Sequence, residues 1–310
     1  MQHGFPVDLL ELVRCSVDGG ELKPQGEAHA GSIVDGGARC VRCGRCHAIR
    51  SGVLSLLDAG QLHPESVNEM RARDERNRAI LDGTRGEWSS AAAEAMETQP
   101  TLDALAAARG HVICELGCGA GRYTLALARS AAALVAIDFS LSGLQVLREK
   151  LDPDARVALV HADVTRPYGG SGSFHRILST LHSNLPGRDC RTASLREIGR
   201  TLRDDGRAVV SMHHYGLRDL LGRAPVTGRY ADSGIYRHLM TVRESRDEAS
   251  LFFARLRHRH ISVSVPGVRS RLVSGTAARI PLVRSGLGRL FLAICEQPRD
   301  DRTVGMPQCA

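Results

Sequence analysis

Val112-Ile113-Cys114-Glu115-Leu116-Gly117-Cys118-Gly119-Ala120-Gly121-Arg122-Tyr123 reads as a buried strand that runs into a glycine turn and then into a helix over Thr124–Arg129. Glycine is needed at such a turn, because a Cβ would block both the sharp backbone path and the close approach of a ligand. The helix that follows turns free N–H groups toward that ligand. Working outward, short apolar strands are expected at His111–Leu116, Ala133–Asp138, Arg156–His161, Phe174–Thr180 and Arg207–His213, with helical patterns between most of them. That alternation predicts an α/β fold, a parallel sheet covered by helices on both faces. Leu251–Val265 and Leu290–Glu296 read as long strands without a crossover of the usual length, so an antiparallel edge is expected there.

Composition bounds the answer. The chain has 310 residues, 43% hydrophobic, 24% charged and 4% aromatic, enough for about two domains. No apolar run approaches the roughly 18 residues of a membrane span, and Met1–Pro6 shows no basic segment followed by an apolar stretch. A cytoplasmic chain with no membrane partner is expected. Nine cysteines, four of them within the first 50 residues, do not resemble a secreted disulfide framework. Of the 41 basic residues only Lys23 and Lys150 are lysine. Residues 1–60 carry six basic and seven acidic side chains, whereas residues 251–290 carry eight arginines and no acid, so the net charge of +7 is gathered toward the C-terminus. Three parts are expected: a Gly- and Cys-rich module over 1–60, a helical connector over 61–100 and an alternating α/β domain over 101–310. The connector begins at Pro64, which suits a first helical turn, stops near Gly83, and has a second, Ala-rich stretch around Ser89–Met96.

Two acids decide what the glycine turn binds, since dinucleotide-binding folds carry a similar triplet. Asp138 lies seventeen residues after Gly121, at the end of the second strand in Ala136-Ile137-Asp138-Phe139-Ser140, placed to accept both hydroxyls of a ribose. Ala162-Asp163-Val164 ends the third strand, where an adenine amino group could bind. Glu115-Leu116-Gly117-Cys118-Gly119-Ala120-Gly121 resembles the first motif of class I S-adenosylmethionine-dependent methyltransferases, an E/D-x-G-x-G-x-G run. The resemblance implies a Rossmann-like seven-stranded sheet and passage of Gly117, Gly119 and Gly121 under the amino-acid part of the cofactor. It also implies that Asp138 holds the ribose and Asp163 the adenine side, with Glu115, Cys118, Phe139, Ser140, Ala162, Val164 and Thr180 around them.

The N-terminal module is expected to bind metal. Cys40-Val41-Arg42-Cys43 has the C-x2-C spacing that chelates one tetrahedral ion from a single turn, and a second turn at Cys15-Ser16-Val17-Asp18 would close the site. In so small a module, ligation replaces a core too small to stabilise it. The stretch resembles the zinc ribbons found as small partner proteins of tRNA methyltransferases, except that Asp18 stands where the second cysteine is expected. The fourth zinc ligand is therefore Asp18, Cys46 or His47. Cys43-x3-His47 also resembles the zinc module of the 23S ribosomal RNA guanine-N1 methyltransferases, and Cys40-x2-Cys43-x2-Cys46 with Cys15 could hold an iron–sulfur cluster.

Methyl transfer from a sulfonium is an in-line displacement, so an enzyme mainly aligns the nucleophile and removes its proton. In such a sheet the acceptor sits beyond the carboxyl ends of the strands. His182 and His213 are the candidate general bases there, and His214 and Tyr215 the substrate-orienting side chains. An insertion from Leu217 to about Thr241 carries Tyr230 and Tyr236 among arginines, a lid for an aromatic or anionic substrate. The N/D-P-P-Y run and the Pro-Cys dipeptide of two nucleic-acid methylating classes are absent. Arg255, Arg257 and Arg259 share one strand face and few aromatics accompany them, which favours edge protection or an oligomer interface over an RNA surface. The expected function is methylation of O, N or C of a small molecule, in the manner of secondary metabolism. An RNA guanine-N1 enzyme is the first alternative and a non-catalytic scaffold subunit the second.

Overall fold

Five parallel strands form where the apolar runs placed them. The computed structural model describes residues 3–86, 94–231, 233–263 and 288–299. Most of the Ala-rich stretch around Ser89–Met96 and the larger part of the arginine-rich region after Val263 lie outside those residues. The N-terminal strands are β1 (Phe5–Pro6), β2 (Leu22–Gln25), β3 (Ser32–Ile33), β4 (Gly36–Cys40), β5 (Cys46–Arg50) and β6 (Val53–Ser55), followed by helices α1 (Pro64–Leu81) and α2 (Gln99–Leu105). Then come β7 (Val112–Leu116), α3 (Thr124–Ala128), β8 (Ala133–Asp138), α4 (Leu141–Lys150), β9 (Val157–His161), β10 (Phe174–Ser179), α5 (Gly187–Thr201) and β11 (Leu202–His213). The chain continues with α6 (Leu217–Leu221), β12 (Thr227–Arg229), β13 (Tyr236–His238), α7 (Val242–Ala249), β14 (Phe253–Val263) and β15 (Gly288–Pro298).

Strands β9, β8, β7, β10 and β11 lie side by side and parallel, and β15 and β14 continue the sheet antiparallel, as expected for the last third. All six residues of β8 are buried, because helices cover both faces of the sheet, and burial of each large aliphatic side chain contributes about 1.5–3 kcal/mol. The chain winds one way from β7 through β8 to β9 and the other way from β10 to β11, so a crevice opens between the carboxyl ends of β7 and β10. Helix α4 starts there. Its N-cap is Ser140, whose hydroxyl accepts from the Gly143 amide.

The N-terminal region departs from the separate module that was expected. Strand β6 pairs in parallel with β9, matching Val53 to Leu159, Leu54 to Val160 and Ser55 to His161. Through β6, β5, β4 and β2 the sheet grows from the expected seven strands to eleven. Without β6, the edge of β9 would expose unpaired backbone groups. Phe5, Leu9, Ile33 and Leu54 share one buried cluster with Val135, Val160 and Tyr168 of the α/β domain. The opposite edge, β14, carries Arg255 and Arg257, and both reach Glu296 of β15 at 3.5 and 3.4 Å. Arg207 reaches the same carboxylate at 2.8 Å. Two of the three arginines in this stripe are thus engaged within the sheet. No helix among the described residues is long and apolar enough to cross a membrane.

Candidate active site

The crevice leads into a cavity of about 1240 Å³, larger than the roughly 300–1,000 Å³ usual for one small ligand. It has room for a cofactor and an acceptor together. Its floor is the glycine turn, in which Gly117, Gly119 and Gly121 have φ of +76°, +52° and +94°, values that L side chains rarely adopt. A Cβ on Gly121 would lie 2.4 Å from Cδ1 of Leu147, whereas the space beside Gly119 is open to 4 Å. The first glycine contact fixes helix packing and the second leaves a bare cradle for a ligand.

Asp138 closes the turn. Its buried carboxylate accepts from the Gly119 amide and from the Ser140 amide, both at 2.7 Å. Burial raises its pKa, opposed by those two amides and by the charge of Arg73. Phe139, Ser140, Asp163, Val164, Thr180 and Cys118 line the cavity, while Glu115 and Ala162 do not. Asp163 accepts from the amide and the hydroxyl of Thr165 at 2.9 and 2.8 Å. Glu115 is fully buried and accepts from Thr124 Oγ1 at 2.7 Å through Oε2, but its Oε1 has no partner. Burial pushes the Glu115 carboxyl up to about 8. A bare glycine cradle beside a carboxylate at the end of β8 fits a ligand with both an amino-acid part and a ribose.

The acceptor end is built by the loops after β10 and β11 and by the insertion. His213 ends β11, and its Nε2 and the Tyr230 hydroxyl share a hydrogen bond of 2.5 Å that brings the insertion over the crevice. Burial, reinforced by the charges of Arg237, Arg289 and Arg73, pulls the His213 pKa down to about 4. The imidazole is neutral at physiological pH. His182 also lies on the cavity wall, but its Nε2 meets the Arg191 carbonyl at 3.2 Å and its Nδ1 faces Ser179 Oγ at 3.5 Å. Both nitrogens are turned into the protein, so His182 is placed to hold its loop. His214 lines the cavity with Nδ1 held by the Gly288 carbonyl at 3.0 Å. Tyr215 donates to the Ala224 carbonyl at 3.3 Å, and neither it nor Tyr236 lines the cavity.

Three contributors to the site went unread in the sequence. Helix α1, expected as a connector, forms a cavity wall with Glu69, Arg73 and Asn77. Its Asp74 accepts from the hydroxyls of Ser140 and Ser142 at 2.8 and 2.6 Å, clamping the start of α4. Its buried residues are polar, Glu69 and Asn77, and that is the signal that could have marked it. Asn184 also lines the cavity, with a buried Oδ1 that has no partner. The insertion is anchored by a polar chain: His238 Nε2 lies 2.8 Å from Glu244, and Arg191 pairs with Glu244 and Glu248 at 3.2 and 2.7 Å. Arg229 of the insertion pairs with Glu65 of α1.

In the N-terminal part, Cys15, Asp18, Cys40 and Cys43 bring one ligand atom each to within 4.8 Å of one another. Cys15 and Cys43 sulfurs are 3.8 Å apart, which is about the separation that two zinc–sulfur bonds of roughly 2.3 Å enclose at a tetrahedral angle. The Arg42 and Cys43 amides point at Cys40 Sγ at 3.4 and 3.5 Å, as donors to a thiolate. A Cβ on Gly20 would meet Cys40 Sγ at 2.7 Å, so only glycine lets the two turns close. Of the other fourth-ligand candidates, Cys46 is exposed and turned to the Gly44 carbonyl. His47 lies beside the group, 3.3 Å from Cys15 Sγ.

Comparisons with known proteins agree with this geometry. Residues 113–206 match the family described as a methyltransferase domain. Demethylmenaquinone methyltransferase of Clavibacter sepedonicus is 37% identical over 110 residues, 36% of this chain and 44% of that one. The match thus spans less than half of that relative. Geranyl diphosphate C-methyltransferase from Streptomyces coelicolor A3(2) superposes with a TM-score of 0.52 at 12% identity, over 76% of this chain and 99% of its own. An S-adenosylmethionine-dependent methyltransferase from Mesorhizobium loti gives 0.49 at 19% identity, over 68% and 99%. The strand order, the glycine turn and the family match agree in giving residues 113–206 the fold of a methyltransferase domain.

Proposed function

We propose that the protein methylates a small molecule at a protic O or N, with His213 and Tyr230 as the groups that move the proton. The observation that carries this reading is the 2.5 Å hydrogen bond between Tyr230 and a neutral His213 in a cavity large enough for cofactor and acceptor together. S-adenosylmethionine supplies, when bound, a methyl group on a sulfonium. Asp138 and the glycine turn hold its ribose and amino-acid parts, and Asp163 stands at its base. The acceptor's nucleophilic atom donates its proton to the Tyr230 oxygen while the Tyr230 proton passes to His213 Nε2, leaving an imidazolium that returns the proton to solvent. Burial raises the Tyr230 pKa to about 12, so the phenol conducts the proton without being ionised itself. Zinc, held by Cys15, Asp18, Cys40 and Cys43, has a structural role.

The insertion that roofs the cavity supports a small acceptor. So do the ion pairs of Arg255 and Arg257 with Glu296, since these leave fewer free guanidinium groups for an RNA backbone. The test is transfer of label from methyl-labelled S-adenosylmethionine to total RNA and, separately, to a small-molecule extract of the source cells. Label confined to the extract supports this reading, and nuclease-sensitive label overturns it in favour of an RNA enzyme. In the same assay His213→Gln is expected to lower the turnover about 100-fold, the lower range for a positioned acid–base group, with cofactor affinity unchanged. Because the base works in its neutral form, wild-type turnover is expected to stay level from about pH 6 to 8 and to fall only as the pH drops toward the His213 value of about 4. A loss of cofactor affinity equal to the loss of turnover in His213→Gln would contradict the assignment.

A further inference from the structure

Three guanidinium groups, those of Arg237, Arg289 and Arg73, bear on His213. Arg73 is paired with Glu69 at 3.0 Å, Arg229 with Glu65, and Arg122 with Glu97 at 3.1 Å. Asp219, another carboxylate of the lining, accepts from the Gly216 amide at 3.1 Å. Arg237 and Arg289 line the same cavity and have no carboxylate partner among the described residues. The Arg237 guanidinium lies over the Tyr230 ring, 5.8 Å from its centroid, and its buried Nε has no hydrogen-bond partner. Arg289 stands at the rim, exposed, at the start of β15.

A buried guanidinium nitrogen without a partner is costly, and such a cost persists where a ligand removes it. Guanidinium groups match carboxylate and phosphate oxygens in paired hydrogen bonds. We propose that the acceptor is an anion whose carboxylate or phosphate is held by Arg237 and Arg289, so that its nucleophilic atom is presented to the Tyr230–His213 pair. This inference deepens the acceptor reading given above and rests on it for the direction of the nucleophile. The unpartnered Oδ1 of Asn184 is then an acceptor for a donor group on the same molecule. Binding of an anion beside His213 offsets the charges of Arg237 and Arg289, which raises the basicity of the imidazole only once the acceptor is in place.

The test is calorimetric titration of the full-length protein, first with S-adenosylhomocysteine and then, on the saturated complex, with sodium pyrophosphate and with sodium malonate. At least one of the two anions is expected to bind one to one with a Kd below about 1 mM, and which one binds tells phosphate from carboxylate. Arg289→Gln, a rim substitution that leaves the core untouched, and Arg237→Gln are each expected to weaken that binding at least tenfold. Arg289→Lys should retain a larger part of it. Absence of anion binding to the wild type, or equal binding by the wild type and both glutamine variants, overturns the proposal. If S-adenosylhomocysteine binds and neither anion does, the anion subsite alone fails. If the anions bind and S-adenosylhomocysteine does not, the methyltransferase reading fails and the subsite stands.

Discussion

Asp138→Asn is expected to leave the protein folded and to weaken S-adenosylmethionine binding by roughly two to four orders of magnitude. The carboxylate sits at the end of β8, where both its oxygens accept backbone amides at 2.7 Å. Those amides belong to Gly119, in the bare part of the glycine turn, and to Ser140, the N-cap of α4. One side chain therefore sets the turn and starts the helix, and on the proposed reading its remaining lone pairs serve a ribose. An amide keeps one acceptor but points an N–H₂ at the other backbone donor. It also lacks the charge that makes hydrogen bonds of this kind worth about 1.5–3 kcal/mol each. Two such bonds to ribose hydroxyls correspond to about 3–6 kcal/mol, at about 1.4 kcal/mol per tenfold in affinity. Loss of a burial penalty offsets part of the damage to the fold, because burial already works against the ionised carboxyl. The sign of the pH dependence follows from the raised pKa: the ribose needs the carboxylate, so wild-type affinity should decline as the pH falls through that raised value, and Asp138→Asn should show no such decline. Titration calorimetry at several pH values reads both effects, and an affinity within tenfold of the wild type would contradict the role given to Asp138.

Removal of metal is expected to destabilise the whole protein. Strand β6 is hydrogen-bonded to β9, and the Ser16 hydroxyl, next to ligand Cys15, donates to the Leu56 carbonyl at 2.6 Å. The Leu56 amide in turn donates to the His161 carbonyl at 2.8 Å. The His161 ring bridges Ser55 Oγ and the Phe139 carbonyl, each at 3.1 Å, one residue from Asp138. The turn at Cys15 is thus tied through a short run of hydrogen bonds to the Asp138 end of the cavity. Structural zinc contributes on the order of 10 kcal/mol to small metal-folded modules. Even half of that, about 5 kcal/mol, corresponds to a fall in Tm on the order of 10 °C for a chain of this size. Calorimetric scans of the chelator-treated protein and of Cys40→Ser/Cys43→Ser should show one cooperative transition at lower temperature, with weaker S-adenosylmethionine binding. Two separate transitions, with the second one unmoved, would show that the N-terminal part is energetically independent.

The parallel strands were legible because burial on both faces turns each into an apolar run, and β8 is the extreme case with every residue buried. The glycine turn was legible because its positive φ values admit little else. The fusion of the N-terminal part to the sheet was hidden, since β6 is only three residues long and its pairing with β9 spans about a hundred residues of sequence. Helix α1 was misread as a plain connector because a helix that walls a polar cavity buries Glu69 and Asn77 instead of leucines. Histidine roles were the least legible. His182 follows β10 and His213 ends β11, and the Arg191 carbonyl behind the first and the Tyr230 hydroxyl over the second tell them apart. Tyr215 and Tyr236 share the tyrosine-rich stretch with Tyr230, and the fold alone selects which of them reaches the cavity.

Titration of the purified wild-type protein with S-adenosylmethionine, and in parallel with NADH, tests the central claim most directly, since both cofactors use a glycine turn followed by an acid at the end of the second strand. Binding of one S-adenosylmethionine per chain with a Kd in the micromolar range, and no detectable NADH binding, is the predicted result. Tight NADH binding, or no binding of S-adenosylmethionine to the folded, metal-loaded protein, would contradict it.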